Sequence, residues 1–301
     1  MTDADLPPDN FGIAALSAER MTAGNARRDV VECQVVQEDV LTIEVEKVGS
    51  YALMWTPTGG DPGAVAFTAE DGILADAGVP EALALAAGFI FTEGMIASVA
   101  DIAVMSICAE RPDVVRVQLR RPEKAVVERR NIVVNSSCGV CGGREQIMSR
   151  PVCATSARGE LRLSVADFAT IRAVLQSRQR VFARTGGTHG AALFGPDRRI
   201  IATAEDIGRH NALDKVIGYR LLSGLDFAAC GAFISSRISY EMAAKAVRAG
   251  LDVLAAISAP SSLAIDLARQ HGLTLCGFVR GETATVYTHP QRIAAQISTP
   301  N

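Results

Sequence analysis

Apolar residues alternate with polar ones at Leu41, Ile43 and Val45, and together with the run at 30–36 they predict strands over 30–36 and 41–48. An Ala- and Leu-rich stretch over 80–91, opened by Pro80 and followed by Gly94, predicts a helix. Further strands are predicted at 102–108 and 114–119. Residues 56–71 are rich in Gly, Pro, Thr and Asp without periodicity and read as an exposed loop, and the residues up to about 26 read as a mobile arm. From Ser164 the pattern changes. Ser164 and Asp167 can cap a helix reaching to about 177, after which short apolar runs at 190–194, 200–204, 232–235, 253–257 and 274–279 alternate with amphipathic stretches at 212–222, 239–249 and 262–270. Gly250 and Gly272 stand where two of those helices should stop. The expected class is α/β, α+β overall: an arm at 1–29, a β-rich domain at 30–135, a cysteine-bearing loop at 136–160 and a layered α/β domain at 161–301.

Composition narrows the function classes. The 301 residues are 49% hydrophobic and 21% charged, enough for a substantial core and with no apolar run long enough to span a bilayer. A net charge of -3 gives no general electrostatic reason to expect nucleic acid or an anionic membrane as partner. The apolar patch at 11–16 has no basic segment before it, so no secretory signal is read and a cytoplasmic protein is expected. Seven cysteines are an odd number, and Cys33, Cys108, Cys153, Cys230 and Cys276 sit singly, which is usage of a reducing compartment.

The exception is Ser-Ser-Cys-Gly-Val-Cys-Gly-Gly at 136–143, which places Cys138 and Cys141 three residues apart in a segment of glycines and small hydroxyl residues. Such a pair can hold half of a metal site, cycle between dithiol and disulfide, or carry sulfur as a persulfide. A zinc site would need a second pair, and only Cys153 and His189 are on offer, at unusual spacing. Redox work uses this spacing, and two inert structural thiols are the plain alternative. Polar residues gather elsewhere at predicted strand ends: Gly187, Thr188 and His189; Asp206, Arg209, His210, Asn211 and Lys215; Ser235 and Arg237. Those are positions where open α/β sheets place ligands, and glycine turns with cationic side chains suit a phosphate. Ordinary caps, turns and solvated faces explain each cluster taken singly. The last segment, Phe278, Val279, Arg280, Gly281, Glu282 and Thr283, offers an aromatic face and a cation to a purine nucleotide, against a plain strand end.

The runs at 136–142, Thr-Gly-Gly-Thr-His at 185–189 and Glu-Asp-Ile-Gly-Arg-His-Asn-Ala-Leu-Asp-Lys at 205–215 together resemble the FdhD family of formate dehydrogenase accessory proteins. The resemblance extends to 88–94, 237–250 and 277–282. It implies a cytoplasmic sulfurtransferase that accepts sulfur from a cysteine desulfurase and passes it to the molybdenum bis(guanine dinucleotide) cofactor destined for formate dehydrogenase, with no tightly bound metal of its own. It also implies an α/β part similar to the cytidine deaminase fold, without that family's zinc pattern. Cys138 would be the persulfide carrier and Cys141 its partner. Arg209, Lys215, Arg237 and Arg280 would neutralise pyrophosphate, and residues 278–283 would hold the guanine dinucleotide end. A homodimer is the assembly considered. Residues 56–79 look like an insertion relative to the family. The competing functions are a disulfide oxidoreductase using both cysteines and a non-catalytic cofactor-binding chaperone.

Overall fold

A computed structural model describes residues 11–23, 28–59, 63–70, 72–73, 79–125 and 161–294. Two six-stranded sheets enclose a layer of helices. The first sheet is built from β3 (Asp39–Val45), β4 (Gly49–Trp55), β5 (Val65–Thr68), β6 (Gly72–Ile73), β7 (Ile102–Cys108) and β8 (Arg111–Leu119), in the order β4-β3-β8-β7-β5-β6. The alternation at Leu41, Ile43 and Val45 is the signature of one buried face, and all three side chains lie in the core. The described part of 56–71, expected as an exposed loop, includes buried residues and a strand. Thr56 is buried, and β5 pairs antiparallel with β7 and buries Val65 and Phe67. The Gly, Pro and Asp content around a four-residue strand hid it from periodicity.

α1 (Glu81–Thr92) follows. It is buried from Glu81 to Phe91, with no polar face at all, because it lies between the two sheets. Its apolar neighbours are the first sheet and α4 (Arg209–Leu222) of the second half. A single core therefore joins the two halves, running from Leu41, Leu53 and Met105 through Leu83 and Ile90 to Leu213, Val216, Leu254 and Leu275.

The second sheet contains β10 (His189–Phe194), β11 (Ile200–Asp206), β12 (Gly231–Ile234), β13 (Val253–Ala256), β14 (Thr274–Arg280) and β15 (Thr283–Val286), ordered β11-β10-β12-β13-β14-β15. Strands β12, β13 and β14 are mutually parallel, and their crossovers are α5 (Tyr240–Arg248) and α6 (Ser262–Gln270). The strand and helix positions read from Ser164 onward agree with these elements. So does the helix start: in α2 (Val165–Arg178), Asp167 N–H donates to Ser164 Oγ at 3.2 Å while Ser164 N–H donates to Asp167 Oδ2 at 2.7 Å. α2 covers the outer face of the sheet through Phe168, Ile171 and Leu175. A short β9 (Leu163–Ser164) and β16 (Ile293–Ala294) pair beside it. The β-rich first half and the layered α/β second half are thus both present.

The arm expected up to residue 26 is corrected in part. β1 (Ile13–Met21) pairs antiparallel with β2 (Arg28–Val36) in a two-stranded ribbon. The ribbon leans on α3 (Arg180–Thr185), where Arg184 Nε donates to Gln34 Oε1 at 2.9 Å. Among the described residues no helix is long and apolar enough to cross a membrane.

Candidate functional site

The chain direction of the second sheet brings several loop ends to one rim. β12 and β13 end there, as does β14, and β11 runs parallel to β12 with β10 reversed between them. Hence the C-terminal end of β11, the N-terminal end of β10 and the C-terminal ends of β12, β13 and β14 lie along one edge of the layer. The N-termini of α4, α5 and α6 open toward the same edge, because each helix follows one of those strands. This is where a parallel sheet receives ligands.

Of the residues named from sequence, the rim gathers His189, Arg209, His210, Ser235, Arg237, Phe278 and Arg280. Ser235 ties two strand ends together: its Oγ accepts from Gly190 N–H and its own N–H donates to Gly190 O, both at 2.9 Å. His189 is half-buried, and its imidazole is held below its ordinary range by that burial and then by the positive charges of Arg209, His210 and Arg237. Four groups capable of positive charge thus converge, and each would be relieved by an anion.

His210 Nε2 lies 3.1 Å from Glu241 Oε2 in the first turn of α5, yet the two are not aligned for a hydrogen bond. Ser239, at the N-cap of that helix, has an Oγ without a partner among the described residues. Sequence reading did not single out Glu241; its place in the first turn after Ser-Ser-Arg was the available signal.

The far end of the rim has a different character. Phe278 is 42% exposed and takes φ +52°, a left-handed conformation unusual for a bulky residue, inside a register shift of β14 against β15. Its N–H donates to Ser258 O at 3.2 Å, which pins the bulge to the loop after β13. The Arg280 guanidinium stands 5.9 Å from the Phe278 ring centre. Val279 points into the core, whereas Gly281, Glu282 and Thr283 form the exposed turn beyond, closed by Thr283 Oγ donating to Arg280 O at 2.9 Å.

Other named residues turn inward. Thr188 is buried and donates to Glu205 Oε2 at 2.7 Å, while Gly187 beside it stays exposed, with Val36 of the ribbon close to its Cα. Asp206 and Lys215 are wholly buried and Asn211 nearly so. Lys215 Nζ pairs with Asp206 Oδ2 and with Glu81 Oε1, both at 2.8 Å, and donates to the carbonyls of Thr56 and Glu205 at 2.9 Å. Burial alone would push the Lys215 ammonium down, but the Asp206 and Glu81 carboxylates outweigh it and hold it above its ordinary range. Its charge is neutralised inside the protein, unlike the pyrophosphate contact expected of it. Glu81 and Glu205 are the carboxylates that sequence reading passed over; nothing in local periodicity marks them.

Cys138 and Cys141 lie outside the described residues, as does Cys153. Among the described residues no group of three or more His, Cys, Asp and Glu side chains is placed to hold a metal ion.

Comparison with known proteins gives a consistent result. The model of the FdhD/NarQ family matches residues 78–294. Two curated relatives named sulfur carrier protein FdhD come from Streptomyces coelicolor, 40% identical over 233 residues, and from Anaeromyxobacter sp. strain K, 43% identical over 229 residues. The first alignment covers 70% of this chain and 79% of the relative, the second 69% and 78%. A relative with the same name from Sulfolobus acidocaldarius is 40% identical over 214 residues, covering 70% of this chain and 80% of that protein. The crystal structure of a formate dehydrogenase accessory protein from Desulfotalea psychrophila superposes with a TM-score of 0.68 at 21% identity, covering 94% of this chain and 99% of that one, which establishes a shared fold. With two thirds of its length matched by one family model and relatives at this level of identity, the chain belongs to the FdhD/NarQ family.

Proposed function

We propose that this protein is a sulfur carrier that takes persulfide sulfur from a cysteine desulfurase and delivers it to the molybdenum bis(guanine dinucleotide) cofactor before that cofactor serves formate dehydrogenase. Membership in a family of proteins named as sulfur carriers supports the first half of the reading. The observation that carries the second half is the rim: one end where His189 and His210 lie beside the cations Arg209 and Arg237, and an aromatic end at Phe278 and Arg280. β10 and β14 are three strand spacings apart, about 14 Å at 4.8 Å per spacing. A nucleoside diphosphate laid along the rim would stack its base on Phe278 and reach the cationic end with its phosphates. The helix N-termini of α4 and α5, with Ser239 Oγ, which has no partner among the described residues, add donors for phosphate oxygens.

Cys138 is the sulfur-bearing residue in this reading. Its thiolate attacks the terminal sulfur of the donor's persulfide; the donor's S–S bond breaks, a new S–S bond forms on Cys138, and the donor leaves as a thiolate. Attack of the Cys141 thiolate on Cys138 Sγ then expels hydrosulfide and leaves a disulfide, which a cellular thiol reductant returns to two thiols. The deciding experiment is intact-protein mass spectrometry of wild type and Cys138→Ser after incubation with a cysteine desulfurase and cysteine. A gain of one reducible sulfur atom in wild type alone is the expected result. Equal gain in the variant removes Cys138 from the role, and no gain in either leaves a redox or chaperone function as the better account.

A further inference from the structure

Lys215 is the centre of a buried network that joins the two halves of the chain directly behind the rim, and its partners fall into two groups. From the second half, Asp206 accepts from Gly208 N–H at 2.7 Å and from Asn211 Nδ2 at 3.0 Å through Oδ1, while its Oδ2 pairs with Lys215. Asp206 thereby closes the turn that carries Arg209 and His210. From the first half, Glu81 accepts from Thr58 N–H and Gly59 N–H, each at 2.7 Å, and also from Thr58 Oγ, so it clamps the segment that follows β4. The two groups are stitched together. Thr56 N–H donates to Asp206 Oδ2 at 3.1 Å, Ile207 N–H donates to Thr56 Oγ at 3.2 Å, and Asn211 Nδ2 donates to Met54 O at 2.7 Å.

We infer that Lys215, Asp206 and Glu81 are a positioning unit: they make the geometry of the anion-binding turn at 208–210 depend on the docking of residues 54–59 from the first half. None of the three reaches a ligand, since Lys215 and Asp206 are without solvent exposure and Glu81 is 8% exposed. Their effect on the rim passes through the turn. A bare structural ion pair would need neither the two bonds that Asp206 accepts from the turn and its helix nor the reciprocal bonds of Thr56. A buried cation between two carboxylates that also accept from backbone N–H groups of two loops fixes both loops at once. The inference rests on the proposed anion-binding role of the rim for its ligand readout, but not for the readout of His189.

Two measurements on the full chain test it. The His189 imidazole is titrated by NMR without ligand, and GDP affinity is measured by calorimetry, in wild type, Lys215→Met and Thr56→Val. Lys215→Met also unmasks the Asp206 carboxylate, the Cα partner of His189 across β10 and β11, so it is in Thr56→Val, which changes no charge, that a rise of the His189 pKa toward its ordinary value reports displacement of the turn. The expected result is such a rise, together with a loss of GDP affinity of about tenfold, the equivalent of one charge-assisted contact. Thr56→Val keeps shape and charge, removes only the acceptor of Ile207 N–H, and is expected to act in the same direction with smaller size; it decides the matter whether or not Lys215→Met folds. An unchanged His189 pKa in Thr56→Val overturns the inference, even where its stability has dropped. GDP that binds wild type and variants equally does so too. Failure of GDP to bind wild type, with the His189 shift present, overturns the nucleotide reading of the rim and leaves the positioning unit in place.

Discussion

Substituting Gly218 with alanine sets two effects of opposite sign against each other, and the distances decide between them. Gly218 is inside α4 where that helix crosses α1 near Gly88. Helix propensity favours the change by about 1 kcal/mol, because glycine in a helix interior loses more backbone freedom than alanine. Against it, a Cβ on Gly218 would stand 1.8 Å from the Ala84 carbonyl oxygen and 2.9 Å from the Gly88 nitrogen. Carbon–oxygen contacts settle near 3.3–3.6 Å, so the helices must part by roughly 1.5 Å. The obstacle is backbone, which no rotamer change can relieve. A gap of about 0.5–1 Å already forfeits a quarter to a half of each dispersion contact. The neighbours on the two helices, Leu83, Leu213, Val216 and Ile217, are all fully buried. Overpacking of a dense core costs about 1–3 kcal/mol, and this site belongs at or beyond the upper end. The expected net effect is a destabilisation of about 2 kcal/mol once the propensity gain of about 1 kcal/mol is subtracted. Urea unfolding should show a lower midpoint at unchanged slope. Gly88→Ala, whose Cβ would meet Asp214 O at 1.9 Å, should behave alike. A midpoint equal to or above that of wild type would refute the reasoning, since propensity alone would then govern the crossing.

Three further outcomes are expected. Lys245→Met leaves Asp214, paired with it at 2.8 Å and wholly buried, without its cation and should cost about 3–5 kcal/mol; Asp214→Asn/Lys245→Met should recover most of that in a double-mutant cycle. Because His189 titrates below its unfolded value of 6.5, the unfolded chain binds more protons in that window. Stability should therefore fall as pH drops through about 6.5 and level off below the folded pKa, and His189→Gln should flatten that part of a chemical-denaturation profile. Phe278→Gly removes the strain of a left-handed aromatic residue, so thermal unfolding should show stability unchanged or raised by up to about 1 kcal/mol while GDP affinity falls; lower stability with intact affinity would reverse the role assigned to Phe278.

The strands and helices of the second half were legible in the chain because each carries its own period and its own punctuation, as the Ser164–Asp167 cap and the stops at Gly250 and Gly272 show. The family was legible as well, since motif residues such as those at 185–189 and 205–215 keep their order along the sequence. Local pattern was a poorer guide at 13–21 and 56–70. There a strand's partner or a buried face lies far along the chain: β1 is defined by pairing with β2, and Phe67 is buried only because β7 is beside it. The same limit governs the site. Sequence supplied the residue types, and Lys215 stood in the motif as a cation like Arg209 or Arg237. Only the tertiary structure separates them, because burial depends on what packs from outside the segment. Glu81, from 134 positions earlier in the chain, and Thr56 enclose Lys215 and neutralise its charge, whereas Arg237 at the end of β12 keeps its charge at the rim. A motif names its members, and the long-range contacts determine which of them face a ligand and which hold the others in place.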